Sequence, residues 1–294
     1  MFPYVKRVVA VGLTATVALG GAKSALAAEI RNVGERTFPF EPGGQVLIES
    51  QNGRIVVEAW DKPEIRVQIT RTVRAGDEAR AKELMKGLRA DVEVRSNQLR
   101  IQSRYPKIRE NVGLWDILGG RVAALQVHYY LQVPRNTSFS LETSNGEVRV
   151  RGTRGDVEAV TVNGDLEVTS VSGFLELETT NGEIRLGGLR GGAKAQTTNG
   201  GITADFVSVS DQGVVDLGTT NGNVDVTLPS GLGATFEATT TNGRVSVSGF
   251  EIKTRGTLTS KSVLGVIGAG GARVALRTTN GNIDVAPTGA RRTR

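Results

Sequence analysis

Cysteine is absent from this 294-residue chain, histidine occurs once, tryptophan twice, and aromatic residues make up only 5% of the total. Each shortage removes a class of function. Without cysteine there is no disulfide framework, no thiolate nucleophile, no Cys-based zinc site and no lipidated N-terminal cysteine. His128 stands beside Tyr129 and Tyr130 with no second histidine to share a metal or complete a Ser-His-Asp relay, so it reads as a strand residue. No G-x-S-x-G elbow occurs, and no helix follows the Gly-rich turns to hold a phosphate. The nonapeptide motif of calcium-binding β-rolls is missing as well. These absences predict a non-enzyme without a cofactor or a metal.

Long apolar runs are scarce too. Val8 to Gly21 is apolar but shorter than the roughly 20 residues that cross a bilayer. Lys6 and Arg7 precede it, and Ala25-Leu26-Ala27 follows as a small-residue cleavage site, so residues 1–27 read as a Sec-type signal peptide. The expected location is the periplasm or the cell surface, with no transmembrane segment after cleavage. The formal charge of +6 falls to +3 once Lys6, Arg7 and Lys23 are removed, and Arg291, Arg292 and Arg294 account for the remainder. The body of the chain is close to neutral, which argues against nucleic acid as a partner.

Glycine and threonine, by contrast, recur on a period. Thr143-Ser144-Asn145-Gly146 returns as Thr161-Val162-Asn163-Gly164, then as Thr-Thr-Asn-Gly ending at Asn181-Gly182, Asn199-Gly200, Asn221-Gly222, Asn242-Gly243 and Asn280-Gly281. The steps between asparagines are 18, 18, 18, 22, 21 and 38 residues, the last splitting as 20 and 18 if Ser262 marks a degenerate copy. Six and four residues before each Asn stand apolar residues such as Leu175 and Leu177; three and five after it stand Ile184 and Leu186, with polar residues between. Period-two alternation marks a strand with one buried face. Each repeat is therefore strand, Asn-Gly corner, strand, loose turn.

Asn-Gly between alternating strands also fits a hairpin meander. A meander, however, has no reason to place the same Thr two residues before every second turn. A solenoid does, because like residues then stack on like residues and asparagine amides can hydrogen-bond along the stack. The expected fold class is all-β, a right-handed parallel β-solenoid of repeats of about 18–22 residues over 136–286. Residues 287–294 form a basic tail expected to be disordered.

Residues 28–135 are less regular. Val46 to Val57, with Ser50 and Asn52-Gly53, matches the repeat column for column and reads as an early coil. Strands are expected at 64–73, 90–95, 99–103 and 125–133, with one short helix at about 77–89 that Asp77 can cap and whose Ala81, Leu84, Met85 and Leu88 share one face. That helix lies over the first sheet or covers the open end of the stack, whose edge would otherwise invite aggregation. Between Tyr105 and Ala124, the cluster Leu114-Trp115-Asp116-Ile117-Leu118 reads as a lid over the core or as a contact loop through Leu114, Trp115, Ile117 and Leu118.

With Val133-Pro134-Arg135 leading into Leu141 to Gly146, the recurring Thr-Thr-Asn-Gly and the helix-containing region behind a signal peptide, the chain resembles a bacterial domain-of-unknown-function family of β-strand-repeat proteins labelled candidate adhesins. The resemblance covers nearly all of the mature chain. It implies a binding role without a defined ligand or catalytic residues.

The expected structural ladder is Asn145, Asn163, Asn181, Asn199, Asn221, Asn242 and Asn280 with Gly146, Gly164, Gly182, Gly200, Gly222, Gly243 and Gly281. Glu147, Asp165 and Glu183 would stack after it as an acidic stripe, a weak candidate for a cation, but Gly201, Asn223 and Arg244 end the stripe and Arg149 and Arg185 stand beside it. A solvated charge ladder is the favoured reading. The functional expectation is an exported, non-catalytic module of the bacterial envelope that is structural or binds a partner such as a glycan or an envelope protein. Its working surface would be the polar strand faces and the Thr/Asn rows. The rivals are a periplasmic partner of an envelope-sensing system and, less favoured, a carbohydrate-active β-helix enzyme, which would need two carboxyls facing a cleft.

Overall fold

A computed structural model of the chain describes residues 28–106, 124–254 and 259–289. The expected signal peptide, the Trp115 cluster and the arginines of the tail lie outside the described residues. The inward columns of the repeats are buried: Leu175 and Leu177 are each 1% exposed, and Ile184 and Val168 are fully buried. Polar residues between them, such as Glu176 and Glu178, are exposed. One side of each strand is thus removed from water, and each repeat builds one coil around a shared apolar core.

The strand before each Asn-Gly joins a 12-stranded sheet, and the strand after it joins an 11-stranded sheet. Strand Val157–Asn163 pairs in parallel with Leu175–Asn181, placing Asn163 opposite Asn181 and Thr161 opposite Thr179. Leu166–Thr169 pairs in parallel with Ile184–Arg190 in the second sheet. The architecture is all-β and solenoid-like, not a hairpin meander. Side-chain volumes vary within a coil: Ala193, Ala195 and Ala204 are buried in the same coil as Phe206, which is fully buried in the second sheet.

Coil order departs from chain order at both ends. The Asn52 coil sits directly on the Asn145 coil. Outside it, Gln98–Arg104 pairs with Gly44–Glu49 and Ala124–Pro134 pairs with Ile55–Trp60, both in parallel. These two strands supply an outermost coil without an Asn-Gly corner. At the far end, Ala272–Asn280 is inserted between Val214–Asn221 and Ala234–Asn242, so the last coil in sequence is the penultimate one in space. The reading of Ser262 as a degenerate coil is corrected here. Ser262–Ile267 runs antiparallel to Ala234–Asn242, on the edge away from Ala272–Asn280. Its apolar residues imitate the repeat because they too alternate across a sheet.

Antiparallel strands cover the ends of the parallel stack. Glu64–Ala75 and then Ala28–Pro39 extend the 11-stranded sheet, and Arg89–Arg95 closes one edge of the 12-stranded sheet. Ile252–Thr254 completes the cover at the other end. The remaining edge strand, Val245–Val247, is three residues long, one of the ways a sheet avoids pairing with foreign chains. The single helix among the described residues, Glu78–Gly87, begins at Asp77, whose carboxylate accepts the Arg80 N–H at 2.7 Å. Its buried residues Ala81 and Leu84 face the strands Glu64–Ala75 and Ala28–Pro39, and Leu88 is buried just past its end.

Candidate functional site: the corner ladder and the outer sheet faces

Each corner asparagine points out of the coil and meets the asparagine of the coil before it. Asn145 donates through Nδ2 to Asn52 Oδ1 at 2.7 Å, Asn163 to Asn145 at 2.8 Å, Asn181 to Asn163 at 2.8 Å and Asn199 to Asn181 at 2.8 Å. The row continues from Asn221 to Asn199 at 2.9 Å, from Asn280 to Asn221 at 2.8 Å and from Asn242 to Asn280 at 2.9 Å. The ladder therefore follows the spatial order of the coils and runs unbroken through the exchanged pair. Amides in such a row polarise one another in the same direction.

The threonines two residues before the asparagines point inward. Thr179 donates its hydroxyl to Gly164 O at 3.0 Å, Thr197 to Gly182 O at 3.0 Å, Thr219 to Gly200 O at 2.8 Å and Thr278 to Gly222 O at 2.9 Å. They are buried, at 2% to 7% exposure. This hydroxyl row is buried, with only the Thr143 hydroxyl left without a partner among the described residues, and it is removed from the expected working surface. The glycines are required by crowding rather than by a hairpin turn. A Cβ on Gly182 would lie 2.5 Å from the Gly164 carbonyl carbon and nearer still to its oxygen.

The acidic stripe is a charge ladder. Glu147 meets Arg54 at 2.8 Å and Arg149 at 2.5 Å, Arg149 also reaches Glu167 at 2.9 Å, and Arg185 holds Asp165 at 3.1 Å together with Glu183. Glu183 also donates its backbone N–H to Asp165 Oδ1 at 2.8 Å. These solvent-accessible, partly exposed pairs contribute little to stability, about 0–1 kcal/mol each. No group of three metal-ligating side chains occurs among the described residues.

Where the outermost coil lacks Asn-Gly, other side chains take over its tasks. Tyr105 Oη donates to Asn52 O at 2.9 Å and accepts from Asn52 N at 3.0 Å. His128 Nδ1 accepts the Arg54 N–H at 3.0 Å, the same service that Asn282 Oδ1 gives Arg244 and Asn223 Oδ1 gives Asn282. Burial, then Arg54 and Arg31, hold the imidazole below its ordinary value of 6.5. Burial pushes the Tyr129 phenol up, against the opposing pull of its bond to Ser103. A hydrogen bond to Glu58, with burial, raises Tyr130 to about 12.

The His128 geometry has a pH consequence. Because the folded imidazole binds its proton less readily than the unfolded one, the unfolded state takes up more protons once pH falls below 6.5. Stability is therefore expected to fall as pH drops through 6.5 toward the lower folded value, and this contribution is flat above 6.5. His128→Asn keeps an acceptor and removes the titration. Denaturant midpoints measured on either side of 6.5 should differ less in the variant than in the wild type.

The outer face of the 12-stranded sheet carries a feature that the sequence reading did not single out. Gly218 stands in a column occupied by Glu178, Gln196 and Arg277, and its missing side chain leaves an open depression of about 290 Å³. Thr198, Thr220, Gln196, Asp216 and Arg277 are among its lining residues. Arg277 bridges Asp216 and Glu237, each at 3.2 Å. The only signal in the sequence was one glycine in a column of long polar side chains.

Parallel coils, a self-bonded amide row and charge-paired outer faces define a repeat-built β protein whose most regular polar chemistry is architectural. Residues 136–286, just over half of the chain, match the family described as Toastrack DUF4097, and the chain belongs to that family. It is the domain-of-unknown-function family that the repeats resembled. No curated protein shows a significant match. Among solved structures, a candidate cell adhesion protein from Clostridium sporogenes aligns at 12% identity and a TM-score of 0.34, over 87% of this chain and 100% of that one. A candidate adhesin from Bacteroides fragilis aligns at 12% identity and 0.42, over 86% and 97%. A candidate lipid-binding protein from Parabacteroides distasonis aligns at 10% identity and 0.32, over 86% and 96%. No helix among the described residues is long and apolar enough to cross a membrane.

Proposed function

We propose that the chain is an exported, non-catalytic module of the bacterial envelope that binds a hydroxyl-rich polymer such as a glycan on the outer face of its 12-stranded sheet. The hand of the coils is taken as right, on the crossover rule for parallel strands. The observation that carries the binding reading is the Gly218 depression. There the outward-pointing Thr198 and Thr220 of neighbouring coils stand beside the Gln196 amide and the Asp216–Arg277 pair. Neighbouring coils lie about 4.8 Å apart, so hydroxyls and amides repeat along the stack as donors and acceptors for a repetitive ligand. The non-catalytic reading is supported by the carboxylates of the second sheet, which are held by Arg54, Arg149 and Arg185 rather than facing one another across a cleft.

A glycan-array screen with the wild type and Gly218→Tyr tests the binding site. A Cβ at Gly218 meets no atom within 4 Å, so the ring fills the depression without disturbing the coil. Loss of binding at unchanged stability is the expected result, and equal binding by both proteins would place the ligand elsewhere. Protease shaving of intact cells separates surface from periplasm. Measurable depolymerisation of an acidic glycan by purified protein would return the enzyme reading.

A further inference from the structure

An Asn-Gly bond is the dipeptide most open to self-cyclisation, because glycine leaves its own backbone nitrogen free to approach the asparagine side chain. Eight such bonds lie in the ladder, and seven are held against reaction twice over. Gly53, Gly146, Gly164, Gly182, Gly200, Gly222 and Gly281 each donate the backbone N–H to the corner asparagine carbonyl of the next coil, at 2.8–3.0 Å. The side-chain Oδ1 of each asparagine preceding them accepts from the next amide in the row. Those seven glycines are also buried or half-buried.

Asn242-Gly243 differs because its coil is the last in space. Among the described residues, the Gly243 N–H and Asn242 Oδ1 have no partner, whereas Asn242 Nδ2 still donates to Asn280. Gly243 is the one exposed glycine of the row, and it lines an open, water-accessible depression of about 550 Å³ with Arg244, Ser260 and Asp284. Asn52, at the opposite end, is the instructive contrast. Its Nδ2 has no amide to donate to in the row, but Gly53 is buried and its N–H is bonded to Asn145 O.

We infer that Asn242 is a site of spontaneous deamidation in the folded protein, and that the ladder shields the other seven asparagines. The Gly243 nitrogen, losing its proton to base, attacks Asn242 Cγ. The N–Cγ bond forms, the Cγ–Nδ2 bond breaks, and Nδ2 leaves as ammonia with the proton returned to it. Water then opens the cyclic imide at either carbonyl, giving aspartate or isoaspartate. The net change is one water consumed and one ammonia released, with no oxidant or reductant. The product puts a carboxylate two residues before Arg244, and the isoaspartyl form adds a backbone carbon at the corner joining Ala234–Asn242 to Val245–Val247. The modification thus acts at the edge strand that ends the 11-stranded sheet.

The test is to incubate the folded full-length chain in mildly alkaline buffer and follow all eight Asn-Gly peptides by mass spectrometry, with a denatured sample in parallel. In the denatured chain all eight are expected to convert at similar rates. In the folded chain Asn242 is expected to convert roughly tenfold or more faster than any other, the factor by which losing one or two net hydrogen bonds suppresses opening at the shielded sites. Conversion of Asn242 no faster than that of Asn181 in the folded chain would overturn the inference.

Discussion

Gly182→Ala is expected to unfold the middle of the stack, at a cost above about 4 kcal/mol, which is the range reserved for changes that the surrounding structure cannot absorb. The added Cβ is directed at the Gly164 carbonyl, 2.5 Å from its carbon, and that same carbonyl accepts the buried Thr179 hydroxyl at 3.0 Å. Neither group can yield. The carbonyl sits between Val157–Asn163 and Leu166–Thr169, both held by parallel pairing, and coils about 4.8 Å apart cannot separate at one point without breaking neighbouring bonds. Gly187→Ala is the control. Its Cβ would meet only the Thr169 methyl, at 3.4 Å, and Gly187 lies on the same pair of coils. Urea midpoints should show a collapse for the first and a change within about 1 kcal/mol for the second. Equal effects would mean that the corner glycines serve turn conformation and not close stacking.

That contrast bears on what could be read from residues alone. Asn145 to Asn221 announced both the coil and its ladder, because parallel stacking repeats each environment and so repeats each residue. The Asn52 coil was legible for the same reason, although 92 residues separate it from the Asn145 it bonds. The outermost coil was not. Leu99, Ile101 and Ser103 join the columns of Val46, Ile48 and Ser50, and Tyr129 and Leu131 join those of Ile55 and Val57 in the other sheet, but the two halves are separated by an insertion in place of Asn-Gly. A corner assembled from Tyr105 and His128 leaves no periodic trace. The inward threonines were visible as a repeat, yet a repeated hydroxyl reads equally as surface or as internal donor until the pleat is known. Gly218 left only a faint signal, because a depression is a missing side chain and glycines are common throughout these coils.

Spatial order is the remaining property that periodicity cannot carry, since any coil with matching columns can stack on any other. The exchange of the last two coils therefore predicts an effect that a simple end coil would not show. Ending the chain at Gly268 removes buried Val274, Leu276, Ile283 and Val285 from between two coils. It breaks two links of the amide row and takes Arg277 from both Asp216 and Glu237. In a linear repeat array, removing the last unit costs one interface; here it costs two. With about 1.5–3 kcal/mol for each fully buried aliphatic side chain, the loss exceeds about 5 kcal/mol, and protection of amide hydrogens should disappear from both 214–228 and 234–247. The order itself is testable because the chain has no cysteine of its own. Thr220 and Thr279 lie on adjacent coils, Thr220 and Thr241 on either side of one. A disulfide needs Cα atoms about 4.4–6.8 Å apart, so adjacent coils at about 4.8 Å can be bridged and second neighbours at about twice that cannot. Thr220→Cys with Thr279→Cys should cross-link on oxidation, and Thr220→Cys with Thr241→Cys should not. The opposite pattern would restore chain order to the stack. If the truncated chain alone allows the second pair to bridge, the Asn242 coil has closed the gap onto the Asn221 coil, and part of the lost stability should return with it.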